Sequence, residues 1–286
     1  MFPNWLTDLQ IESAPVPPAL NDATARGVLW QAAPNRFLLD APDVARYLVE
    51  DGHRLIIERA HHANEADVIR LARTTPLAAL LYQRGMFAFH AAAVSPNPSG
   101  LRDPKGLILA GDSGAGKSTL LAALLQNGWQ MLSDELAIVS LDEEGKPIVF
   151  PTHPEVLLWN DATEKLNLHG KTSRVLETRE VYPASNQFAA SPLLLRAIYW
   201  LTVHNGEKIE TEQIRGQKFF QAINTLLYNS HIADALLDRA SHFRLAFALT
   251  QTISLHRLKR PQGQWSVEEL VDQIQKSQTT NSKFEV

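Results

Sequence analysis

The chain of 286 residues contains no cysteine. That excludes disulfides, thiolate-held zinc, iron–sulfur clusters and a cysteine nucleophile. No apolar stretch approaches the roughly 18 residues a membrane-spanning helix needs. The best one, Leu193 to Val203, is short and interrupted by Arg196. No long basic run is present: Lys plus Arg number 27 against 31 for Asp plus Glu, a formal net charge of -4. A surface built for nucleic acid or anionic lipid is therefore not expected. The opening MFPNWLTDLQIE has no basic segment ahead of an apolar one, so no signal peptide is expected and the default compartment is the cytoplasm. Repeats are absent, and low complexity is confined to a Pro-rich piece near the start. What remains is a globular balance, 45% hydrophobic and 20% charged, long enough for one large domain or two modest ones.

Residues 1–27 read as an irregular N-terminal segment, with 13–23 (SAPVPPALNDA) as a Pro-rich linker. Residues 28–85 read as a small α+β portion. It holds strands VLWQ and RFLLD, a helix in PDVARYLVEDG, a strand in HRLIIE, and the helical DVIRLARTTPLAALLYQRG, broken before Pro76 and capped by Gly85. Residues 86–275 read as an α/β core with a mixed sheet and a helical C-terminal part, and 276–286 as a polar tail. In the core, MFAFHAAAV (86–94) and LILA (107–110) are buried strands around a loop rich in Pro, Gly and Ser. TLLAALLQNG is an apolar helix ended by Gly128, and a short strand surrounds Met131 and Leu132. LAIVSL and PIVFP flank the turn DEEGK, and LRAIYWLTV (195–203) is a strand followed by mostly helical patterns.

One segment carries chemistry outright. Gly111-Asp112-Ser113-Gly114-Ala115-Gly116-Lys117-Ser118 fits G-x-x-x-x-G-K-[ST] at every fixed position, and Thr119 follows it. An apolar strand runs in and an apolar helix runs out, the context a phosphate-binding loop requires. Successive backbone N–H groups there form a concave anion site over the positive end of the helix. Lys117 can reach β- and γ-phosphates, and the Ser118 hydroxyl can ligate Mg²⁺. The alternative, a Gly-rich turn with a solvated lysine, fails to explain why pattern and context agree.

The candidate second acidic element is Asp134–Glu135, at the end of the short strand after that helix. In a parallel unit such an end shares an edge with the phosphates; the alternative is a solvated acidic turn. If strand 86–94 pairs antiparallel with 107–110 so that residue 94 faces 107, His90 faces Gly111 at the loop mouth; the alternative is a core histidine. His61, His62 and Glu65 resemble a metal cluster only superficially and read as a helix surface.

Four stretches together resemble the HPr kinase/phosphorylase family and its relatives, whose fold also resembles phosphoenolpyruvate carboxykinase. They are FHAAAV (89–94), GDSGAGKST (111–119), GWQMLSDE (128–135) and FPTHPEVLLW (150–159), and PLLLRAIYWL (192–201) is similar as well. The resemblance spans roughly residues 28–275. It implies an ATP- and Mg²⁺-dependent kinase, with GTP as the alternative nucleotide. The acceptor is a serine hydroxyl of a protein, a precursor peptide or a small molecule, and relatives are often oligomeric. It also implies that Asp134 is the general base, Glu135 a metal contact beside Ser118, His90 their assistant and Lys117 the phosphate holder. The chain departs from the family in having Glu135 where the family has Asp, and Thr119 where it has Glu. The Gly-rich protein-substrate loop and the E-I-R-G signature are also missing: Arg215-Gly216 has no acid at the right place. A rival of another class is a non-catalytic nucleotide-gated binding or maturation partner, with ATPase activity at most. An ABC-type LSGGQ, a GTPase N-K-x-D and the kinase triplets H-R-D and D-F-G are absent.

Overall fold

The computed structural model describes residues 2–96, 104–168, 171–175 and 178–281. In chain order the first elements are β1 (Gln10–Ser13), β2 (Ala25–Arg26), β3 (Trp30–Ala33), β4 (Arg36–Ala41), β5 (Ala45–Glu50), β6 (Arg54–Arg59), α1 (Glu65–Ala72), α2 (Thr75–Gln83) and β7 (Phe87–Phe89). Then come β8 (Ala91–Ser95), β9 (Gly106–Gly111), α3 (Lys117–Gln126), β10 (Gln130–Ser133), β11 (Ala137–Leu141), β12 (Pro147–Phe150), β13 (Glu155–Trp159), α4 (Asn160–Lys165), β14 (Arg174–Val175) and β15 (Arg179–Pro183). The last are β16 (Leu193–His204), β17 (Glu210–Ile214), α5 (Gln217–Leu226), α6 (Ser230–Leu236), α7 (Arg239–Thr252), β18 (Ser254–Pro261) and α8 (Val267–Asn281). The architecture is mixed α/β. Among the described residues, no helix is long and apolar enough to cross a membrane.

The chain divides into two units: Met1–His90 with Ile138–Pro147 and Phe220–Gln251, and Ala91–Ala137 with Ile148–Phe219 and Thr252–Val286. The first contains a six-stranded sheet in the order β1-β6-β5-β4-β3-β2, antiparallel except for the parallel β1–β6 pair. Here the structure departs from the expected helix in PDVARYLVEDG, where β5 is instead a central strand paired residue for residue with β4 and β6. Val44, Tyr47 and Leu48 have helical spacing, but cross-strand pairing on both sides overrides it. Tight turns with positive φ at Asp43 and Asp51 set the strand's ends. The segment 1–27 also supplies β1 and β2. Val16 and Leu20, inside the expected linker, lack regular structure yet are buried with Leu38, Leu48 and Ile56. Helices α1 and α2 break at Arg73–Thr74, Pro76 sits in the first turn of α2, and Gly85 follows its end with φ +73°.

The second unit is organised by β9, which is buried along its whole length, as expected of a strand covered on both faces. Its sheet runs β10-β8-β9-β16-β18-β17, with β12 antiparallel to the start of β16. Strands β9, β16 and β18 are parallel, while β8 is antiparallel to β9 and β10 antiparallel to β8. Strand β10 therefore runs the same way as β9, and the ends of β9, β10, β16 and β18 share one edge. A small antiparallel sheet, β13-β15-β14, lies beside α3. Apolar nearly all round, α3 buries Leu120, Leu121, Leu124 and Leu125 in one cluster with Leu107, Leu109, Val156, Leu158, Leu270 and Ile274.

Two further expectations need correction. The region after residue 204, read as mostly helical, holds α5 to α8 but also β17 and β18, because β18 completes a parallel pair with β16 over eight residues, Ala197↔Ser254 to His204↔Pro261. The expected tail from 276 continues α8 to Asn281: Leu270, Val271 and Ile274 anchor the helix, and Ser277 and Gln278 hydrogen-bond the Tyr199 hydroxyl. Residues 282–286 lie outside the described residues.

Candidate functional site

Strand β9 ends at Gly111 with φ +146°, and a Cβ there would lie 2.5 Å from the Leu201 carbonyl oxygen on β16. Only glycine lets β9 leave the sheet so close to its neighbour. Gly116, with φ +100°, is the N-cap of α3, and its backbone turns the chain into the helix. The carbonyls of the loop between are held by cations. Lys117 Nζ donates to Gly111 O at 2.8 Å and Asp112 O at 3.0 Å. From β18, Arg260 Nε donates to Ala115 O at 2.9 Å and Nη2 to Gly114 O at 3.2 Å. Fixing these carbonyls fixes the orientation of the peptide units, and with it the direction of the N–H groups. Lys117 is 7% exposed. Burial pulls its ammonium below the usual lysine range; Asp134, Asp112 and Glu135 oppose this, and the charge of Arg179 adds to the lowering.

Asp134 follows β10 and is 1% exposed. Its Oδ1 accepts from Ser118 Oγ at 3.0 Å, and its Oδ2 from the Leu157 N–H at 3.0 Å. Burial raises the pKa of this carboxyl, and the bonds from Leu157 and Ser118 work against that rise. Glu135 takes φ +65°. Its Oε1 lies 3.8 Å from Arg179 Nη1, and both side chains are about one-third exposed (32% and 31%).

The second unit thus brings together Gly111, Asp112, Ser113, Gly114, Ala115, Gly116, Lys117, Ser118, Thr119, Asp134 and Glu135. The ladder of β8 on β9 has the expected register, Val94 opposite Leu107, but it stops at Ala91 opposite Ala110. The ladder thus ends one residue before His90 and Gly111. His90 falls in the first unit, where its N–H donates to Leu226 O at 3.3 Å and its ring stacks on Tyr228 at 6.0 Å. His61 and His62 meet edge to face just before α1. Among the described residues, no group of three or more His, Cys, Asp or Glu is placed to hold a metal ion.

Sequence reasoning missed Arg260 and Arg179. Arg260 lies on β18, a strand not picked out within a region read as mostly helical, and SLHRLKRP gives no clear alternation to mark it. Arg179 lies in a stretch with no motif; only its register partner Trp159 falls within a stretch that carried the resemblance.

No protein-family model matches this chain. No curated protein matches it either. Among solved structures it is similar to the Hpr(Ser) kinase/phosphatase from Coxiella burnetii, with 11% identity and a TM-score of 0.37, over 69% of this chain and 94% of that one. A likeness this slight assigns neither family nor chemistry.

Proposed function

We propose that the chain transfers the γ-phosphoryl group of ATP to a serine hydroxyl of a protein, precursor peptide or small molecule, on an HPr-kinase-like core formed by the second unit. The carrying observation is the 3.0 Å contact between Ser118 Oγ and the buried Asp134 Oδ1 at the start of α3. A hydroxyl and a carboxylate side by side beneath a phosphate loop are hard oxygen ligands of the kind Mg²⁺ takes between phosphates. The donor set fits that cation and a triphosphate. Ser118 and Asp134 would hold the metal, which supplies neutralisation of charge developing on the phosphates. Lys117 exchanges its two carbonyl partners for phosphate oxygens.

In the transfer, the bond from the γ-phosphorus to the β-phosphate oxygen breaks, and ADP leaves with the electron pair. A bond to the serine oxygen forms, and the hydroxyl proton goes to a base. Glu135 is that base in this reading, the reverse of the division implied by the family resemblance. Both Asp134 oxygens are engaged and its carboxylate is buried, whereas Glu135, about one-third exposed, is the more accessible acid on the same edge. Alignment and electrostatic clamping provide most of the acceleration, and the base about 10²–10⁴-fold.

The test is a pair of isosteres, scored by calorimetry with Mg-ATP and by phosphoserine formation on peptides, HPr-like proteins and free serine. Glu135→Gln should lose about 10²–10⁴-fold in turnover with nucleotide affinity kept. Asp134→Asn should raise the Mg²⁺ requirement, because an amide oxygen is the poorer ligand for a hard cation. The opposite pattern restores the division implied by the resemblance; near wild-type transfer in both variants removes the pair from the mechanism. One observation favours a second reading, a nucleotide-gated binding module: Glu135 is engaged by Arg179. Wild-type protein that binds Mg-ATP but phosphorylates nothing in the screen would support that reading.

A further inference from the structure

The first unit carries a cleft of about 370 Å³ that the phosphotransfer reading does not use. One side is formed by the end of α2 and by α7, which bring Arg84 and Arg244. The other is formed by the end of β11 and the turn after it, which bring Asp142 and Glu143. The two helices meet closely at one end: a Cβ on Gly85 would lie 2.9 Å from both Cβ and Oγ of Ser241.

The four charges are sorted by side, and one of each sign is already anchored. Arg84 donates from Nε to Gly52 O and from Nη2 to the two Asp8 oxygens at 3.0 and 3.1 Å. Asp142 Oδ1 accepts from the amides of Glu144 and Lys146 at 3.0 and 2.8 Å. Among the described residues, Arg244 and Glu143 make no ion pair, either with each other or with a neighbour. Asp238, the acid at the start of α7, lies outside the cleft and turns its Oδ1 to the amides of Ala240 and Ser241 at 2.9 and 3.1 Å.

A ligand with charge of a single sign suits only half of this cleft. A phosphate or a dicarboxylate would meet Asp142 and Glu143, and a polyamine would meet Arg84 and Arg244; like charges brought together cost energy on either account. A ligand with an anion for the helical side and a cation for the turn side answers both. Leu141 and the buried Leu245 line the same space, so an apolar group fits there better than a polar one left without partners. The volume is near the lower end for small-molecule sites, which suits a metabolite of few atoms.

We propose that this cleft binds a free aliphatic α-amino acid as its zwitterion. Arg244 takes the carboxylate, with Arg84 adding its charge on the same side. Glu143 takes the ammonium group, with Asp142 beside it, and the side chain lies against Leu141 and Leu245. The site belongs to the first unit and stands independently of the phosphoryl transfer proposed for the second.

Calorimetry and thermal unfolding with leucine, without nucleotide, test this. Leucine should bind saturably at one site per chain and raise Tm with its concentration. 4-Methylpentanoate lacks the amine and isoamylamine lacks the carboxylate; each should bind about tenfold or more weakly than leucine, the loss of one charge-assisted contact. Glutamate and lysine should also bind more weakly than leucine. Arg244→Gln and Glu143→Gln should each weaken leucine about tenfold or more while keeping the wild-type Tm in its absence, which shows that they fold. Glu144→Gln, beside the cleft but outside its lining, should bind leucine like wild type. The proposal is overturned if leucine gives neither heat nor a Tm shift at millimolar concentration, or if either analogue matches it. Wild-type affinity for leucine in Arg244→Gln or Glu143→Gln overturns it as well.

Discussion

Arg260→Met tests whether the loop from Gly111 to Ser118 is organised from outside. The variant keeps an aliphatic stem on β18 and removes the guanidinium that holds Ala115 O at 2.9 Å and Gly114 O at 3.2 Å. A hydrogen bond to a charged group contributes about 1.5–3 kcal/mol when sheltered, but the longer of these two is on the exposed side, so the pair together is set at about 2 kcal/mol. At 1.4 kcal/mol per factor of ten, the Kd for Mg-ATP should weaken about 30-fold. Overall stability should fall by less, because burial disfavours the charge of Arg260 and its removal relieves that cost. Calorimetry with Mg-ATP and Mg-ADP in parallel is the decisive assay. A brace on the loop predicts equal losses for the two nucleotides, whereas a direct contact with the γ-phosphate predicts a loss for ATP alone. Faster hydrogen exchange at the amides of residues 113–116 should accompany the weaker binding. The reasoning is refuted if both dissociation constants stay within about twofold of wild type, a change worth under ~0.5 kcal/mol.

Three further outcomes are expected. Lys117→Met should abolish tight Mg-ATP binding without destabilising the nucleotide-free protein. Because burial lowers this lysine's pKa, the folded state releases its proton first, so wild-type stability should rise with pH from the lowered value up to 10.5, and the variant should lack that component of the pH curve. Tyr47→Phe in the first unit leaves the buried Val68 carbonyl without the hydroxyl that donates to it at 2.9 Å, a cost of about 1–2 kcal/mol by denaturant unfolding. Burial also pushes the Tyr47 pKa up to about 12, so the unfolded chain ionises first and wild-type stability should decline between pH 10 and 12. A Phe variant with the same alkaline decline would contradict this. Gly111→Ala should lose about 2 kcal/mol or more, since its Cβ meets the backbone of β16 and no flexible side chain can yield; wild-type stability would disprove the close approach.

The loop from Gly111 to Ser118 was legible because its requirements are local. Positive φ, a helix start and a lysine one residue into the helix are all written in eight consecutive residues. The same holds for α2 with Pro76 in its first turn and Gly85 beyond its end. The pairing of residue 94 with 107 entered only as a condition, and the assembled sheet supplied it, because the long connection between the two strands fixes no register. The sequence also placed Asp134 and Glu135 after a short strand on the right edge. Which acid touches Ser118 was decided by the fold, because the Leu157 N–H comes from β13 across the unit and holds Asp134 in place. Residues 44–49 carry helical spacing, yet β4 and β6 lie on either side and make them a strand. Arg260 and Arg179 reach the site from β18 and β15, which pair with β16 and β13. Such pairings join residues far apart in the chain, and their hydrogen bonds are made by backbone groups that every residue carries. No side-chain pattern within either strand therefore announced its partner, and only the assembled sheets set one guanidinium on the carbonyls of Gly114 and Ala115 and another over Trp159.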